Sequence, residues 1–86
     1  MKHPEIGKWL YFFKKGKRGK ATGNVLGRGY YLGQRKGHYI FSEGQYWHTF
    51  TPKINEVVVL DYGSGQSITR SGAKLLANLI MREIKF

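Results

Sequence analysis

The chain has 86 residues, no cysteine, and 15 Lys+Arg against 5 Asp+Glu, for a formal charge of +10 at pH 7. That length suits a single small domain, residues 1–86, and excludes enzyme classes that need a full doubly wound sheet. The absence of cysteine excludes disulfides, thiolate metal sites and cysteine nucleophiles and suits a cytoplasmic location. No apolar run approaches the ~18 residues of a membrane helix, so no membrane insertion is expected.

The charge is concentrated at one end. Residues 1–36 carry Lys2, Lys8, Lys14, Lys15, Lys17, Arg18, Lys20, Arg28, Arg35 and Lys36 against Glu5 alone, whereas residues 37–86 are nearly balanced. An asymmetry of this kind points to a polyanionic partner, because mixed-sign surfaces keep a domain soluble without so one-sided a field.

In chain order, Trp9–Phe13 is a short aromatic and aliphatic run between Gly7 and Gly16, too short for a helix and expected as a strand buried on most of both faces. Lys14 to Lys20 holds five cations and two glycines with no apolar anchor, the composition of a hairpin tip. Further strands are expected at Asn24–Tyr31, Gly37–Ser42, Gln45–Thr51 and Asn55–Tyr62, with Pro52 ending the fourth. A two-residue turn at Glu43-Gly44 would set Phe41 opposite Tyr46, Tyr39 opposite His48 and, on the other face, Ile40 opposite Trp47. Of those two faces, the tyrosine-bearing one is expected to be wet, since a phenol tolerates water better than an indole.

Val57–Leu60 lacks alternation and reads as a central strand covered on both faces. From Thr69 or Ser71 onward the period becomes helical: Lys74, Asn78, Arg82 and Lys85 share an arc of about 80°, and most other positions are apolar. So wide an apolar arc predicts a helix sunk into a curved sheet or shared with a second copy of the chain, with Glu83 inside it needing a partner. The expected architecture is therefore α+β: about five short antiparallel strands in a curved sheet or small open barrel, then one C-terminal amphipathic helix.

Cations on a glycine-flanked hairpin tip can follow a phosphate backbone without a fixed register. Lys14, Lys15, Lys17, Arg18 and Lys20 are the expected electrostatic core of a nucleic-acid-binding surface, and Arg28, Arg35 and Lys36 extend it. Tyr30, Tyr31 and Tyr39 are candidate platforms for stacked bases, because exposed rings flanked by cations suit unpaired nucleotides. Nothing resembles a recognition helix, so weak sequence specificity on DNA or RNA is expected.

An acidic protein docked on the basic face, or a homodimer packed through the terminal helix, are the other partners the pattern suggests. Neither Val58–Gly65 nor Gly27–Gly33 has the spacing of a nucleotide-binding glycine loop, and no cofactor is expected. His3, His38 and His48 lack metal-ligand spacing. A small ribonuclease would need His38 and His48 as an acid–base pair, but the proposed turn sends them to opposite faces, so the chain reads as non-enzymatic.

Overall fold

The aromatic run after Gly7 forms the strand its composition demands. In the computed structural model, which describes residues 4–44 and 48–84, β1 (Trp9–Lys15) is followed by β2 (Ala21–Arg35), β3 (His38–Ser42), β4 (Thr49–Phe50) and β5 (Val57–Leu60), then by helix α1 (Arg70–Glu83). The strands are all antiparallel, in one open sheet of order β4-β3-β2-β1-β5. This is the α+β arrangement expected from the sequence.

β2 is far longer than the sequence signal. Fifteen residues of straight strand would span about 50 Å, more than the 35 Å longest extent of the molecule, so β2 must bend. The ladder shows where: register shifts fall opposite Phe12 to Lys15 in β1 and between Tyr31 and Gly33 in β2. Bulges of this kind let a strand curl. At its far end Lys36 and Gly37 both take positive φ, 50° and 81°, making a two-residue hairpin into β3 with Arg35 paired to His38.

Because neighbouring side chains alternate across a sheet, the two faces carry separate cores. One face gathers Leu10, Phe12, Tyr31, Tyr39, Phe41 and Val57. Phe12 of β1 stacks on Phe41 of β3 at 4.8 Å between ring centroids, although β2 separates the two strands. Gly27 makes room for this: a Cβ there would lie 2.5 Å from Phe12 Cζ and 3.2 Å from Phe50 Cδ1. The opposite face gathers Leu32 and Ile40 beneath Ala73 and Ile80 of α1, with Tyr30, Leu76, Ala77 and Met81 packed around them.

The helix starts as its sequence dictates. The Thr69 hydroxyl accepts a hydrogen bond from Gly72 N at 3.0 Å, supplying one of the missing partners of the first turn. The helix closes with Arg82 in its last turn, where a cation favours the carbonyl end. A clasp holds its leading segment to the start of β1: Ile68 N donates to Gly7 O at 2.8 Å and Trp9 N to Gln66 O at 3.1 Å. Gly7 has φ +96°, and any side chain there would collide with the Ile68 carbonyl oxygen.

Several expectations are corrected. β5 is an edge strand, not a central one, with Val57 buried but Leu60 exposed. The helix lies on the back of β2 and β3, because the other face is filled by the sheet's own rings; Glu83 stays in solvent instead of inside an apolar arc. Phe41 pairs with Phe50, and Tyr39 N donates to Pro52 O at 3.0 Å, so His48 is not opposite Tyr39. The β3–β4 connection closes instead through Glu43 N donating to His48 O at 3.1 Å. The pairings expected for Tyr46 and Trp47, and the strand start at Gln45, lie outside the described residues.

Candidate nucleic-acid interface

The cations after Phe13 sit on the hairpin between β1 and β2, as the glycines imply. Gly16 N donates to Lys20 O at 2.7 Å and Gly19 N to Gly16 O at 3.1 Å, with Gly19 at φ +73°. Below the tip, the Thr22 hydroxyl donates to Lys14 O at 2.8 Å and accepts from Asn24 N at 3.3 Å, which pins the irregular stretch of β2 against β1. Lys14, Lys17, Arg18 and Lys20 are exposed and Lys15 is half-buried.

Beside the arm runs an open groove of about 830 Å³. Phe12, Leu26, Phe50, Pro52 and Val57 give it apolar walls, Lys14 and Lys15 form one lip, and Thr51, Asn55 and Glu56 add polar groups. Asn55 also lines a second cleft, of about 460 Å³, with Lys36, Gly37, His38, Lys53 and Ile54. That neighbourhood is held by Ile54 N donating to Gly37 O at 2.9 Å and by His38 Nδ1 donating to Thr51 O at 2.8 Å. The two clefts therefore abut, and cations follow one another from the hairpin tip through Lys14 and Lys15, across Asn55, to Lys53 and Lys36.

Among the described residues the ion pairs with carboxylates are those of Lys8 with Glu5 and Asp61, of Arg28 with Glu43 at 3.9 Å, and of His48 with Glu43 at 3.1 Å. Lys8 is held in its charged form chiefly by a hydrogen bond to Glu5 and then by that carboxylate's charge. Among the described residues, none of Lys14, Lys15, Lys17, Arg18, Lys20, Arg35, Lys36 or Lys53 has a carboxylate partner.

The structure divides the residues expected at this surface. It brings Lys14, Lys15, Lys17, Arg18 and Lys20 together on one arm and sets Lys36, with Arg35 beside it in the same turn, at the other end of the cation series. Arg28 is elsewhere: it lies across from Tyr11, on the face of β2 away from the groove, and engages Glu43. Tyr31 and Tyr39 are a correction. They are 2% and 3% exposed, packed edge-on against each other at 5.7 Å, so neither offers a ring face to a base. Burial, followed by the proximity of Tyr39, pushes the Tyr31 phenol up to about 12, and burial also raises that of Tyr39. Tyr30 is half-buried, edge-on to Trp9 at 4.9 Å beside the helix cluster.

Nothing in the sequence marks Lys53, Asn55, Leu26 or Phe50 as part of this surface. Lys53 is isolated in the sequence, and only the pairing of β3 with the segment after Pro52 carries it to the Lys36 turn. The one available signal was the Thr51-Pro52 stop, which marks a chain reversal without saying what it meets. Comparison with protein-family models, curated proteins and solved structures finds no match.

Proposed function

We propose that this chain is a non-enzymatic nucleic-acid-binding protein of the cytoplasm, drawing its affinity mainly from phosphate contacts and having weak sequence specificity. The observation that carries the reading is the run of cations, without carboxylate partners among the described residues, from the Lys17–Lys20 tip past Lys14 and Lys15 to Lys53 and Lys36. Not neutralised by those carboxylates, these groups gain most from a polyanion whose condensed counterions they displace. Weak specificity accords with the position of α1, which packs its apolar side on the back of the sheet, away from the groove. The reading extends to a pair of chains joined through α1, where Leu75 and Leu79 stand one turn apart and are 67% and 50% exposed. A sedimentation mass of one chain at high concentration would refute the pairing.

The test of binding is affinity for a short DNA or RNA between about 50 and 200 mM salt, the range over which phosphate contacts weaken steeply. With at least four contacts, the log–log slope on duplex should be steeper than about −3.5, at about −0.9 per phosphate. The double variant Lys17→Ala/Arg18→Ala should reduce that slope by about 1.8, because two contacts are lost. A flat slope in the unaltered protein, or an unchanged slope in the variant, would refute the assignment.

A further inference from the structure

The basic arm accounts for phosphate binding but leaves the groove beside it without a purpose. Its walls are unlike the rest of the cationic surface. Leu26, 47% exposed, and half-buried Phe50 line it beside Pro52, while Asn55 and Glu56 stand exposed among its lining residues. These apolar walls meet water beside two lysines, so an apolar group entering between them would gain by leaving water. Its volume, about 830 Å³, is within the range of sites that hold small flat molecules.

We infer that the groove takes an unpaired nucleobase of a single strand whose flanking phosphates lie on Lys14 and Lys15. The inference rests on the nucleic-acid reading and sharpens it from polyanion binding to a preference for single strands. A base in a duplex presents only its edges, because its two faces are stacked on neighbouring pairs. An unpaired base can lay a face on apolar walls while its edge meets hydrogen-bonding groups. The groove supplies both: Leu26, Phe50 and Pro52 for the face, and the Asn55 carboxamide, Thr51 hydroxyl and Glu56 carboxylate for the edge. Polarity sets the direction of entry. Glu56 repels phosphate, so the backbone runs along the lysine lip and the base points inward. Once the phosphates are seated on the arm, the base enters as a tethered group and loses little further freedom.

The experiment compares a fluorescently labelled single strand, the duplex of the same sequence, and the same strand with its central nucleotides abasic, on the whole protein. The single strand should bind more tightly than the abasic strand by about 5- to 100-fold, the range that base contacts of this kind provide, at an unchanged salt slope. Leu26→Ala and Asn55→Ala, both at exposed positions, should weaken the intact strand at least fivefold and leave the abasic strand and the duplex where they were. Equal affinity for intact and abasic strands, or equal losses on strand and duplex in the variants, would overturn the inference while leaving phosphate binding standing. Absence of salt-dependent binding to any of the three would overturn both. The abasic comparison uses the unaltered chain, so it decides even if a variant fails to fold.

Discussion

At Gly27 a single added methyl group would test side-chain packing alone. The φ of Gly27 is not in the left-handed region, so the backbone itself would accept alanine. The obstacle is the Phe12 ring 2.5 Å away, which is itself 2% exposed and stacked on Phe41, so it cannot swing into open space. Overpacking a well-filled core costs about 1 to 3 kcal/mol. Restricting the unfolded chain by replacing glycine with alanine returns about 0.4 to 1 kcal/mol. Gly27→Ala should therefore lose about 1 to 2 kcal/mol, which in a domain of this size lowers the melting temperature by roughly 5 to 15 °C. Gly23 is the internal control: it lies in the same strand, and a Cβ there would meet nothing within 4 Å. Gly23→Ala should keep only the entropic gain, about 0.4 to 1 kcal/mol more stable. Thermal melts of both variants followed by circular dichroism make the comparison, and equal stabilities would refute the view that Phe12 reaches Phe41 only across a bare backbone.

Thr69→Ala removes the hydroxyl that accepts from Gly72 N and should cost about 1 kcal/mol in urea titrations, with Thr69→Ser recovering most of it. Alkaline pH should destabilise the fold: the Tyr31 phenol is raised to about 12 in the folded chain against about 10 unfolded. The folded state thus favours the neutral phenol, and that stability is complete below pH 10 and lost as pH rises toward 12. From Tyr31 alone the loss between pH 9 and 11 is about 1.3 kcal/mol. Tyr31→Phe should flatten the alkaline limb of a stability–pH curve, and an equally steep limb in that variant would count against the buried phenol as its cause.

Local signals in the sequence located the elements where chemistry is local. Gly7 and Gly16 bracket an aromatic run that can only be a strand, and Thr69 ahead of a helical period starts α1 as caps generally do. What the sequence did not disclose depends on which elements meet. A tyrosine at position 39 alternates with Ile40 whether one or both sheet faces are covered. Only the curl of the sheet, which carries Phe41 onto Phe12, shows that the tyrosine side is interior. The Glu43-Gly44 turn failed similarly, because the pairing of Phe41 with Phe50 and of Tyr39 with Pro52 outweighs the local preference of a glycine for a tight reversal. For the interface, clustering revealed the cations of the arm but not Lys53, which contributes through space alone.

The clasp between Gly7 and Ile68 also governs the order in which the molecule can be completed. β1, β2 and β3 are sequential hairpins and can pair as soon as they are synthesised, whereas the clasp joins points about 60 residues apart and waits on a long loop closure. Until Ala73 and Ile80 arrive, Leu32 and Ile40 lack the cover of α1, so a ribosome-bound chain passes through a stage that already bears its cationic arm over a partly uncovered apolar back. Folding speed, and the need for a chaperone at that stage, should therefore respond to substitutions at Gly7 and Ile68 more than to any change in the arm.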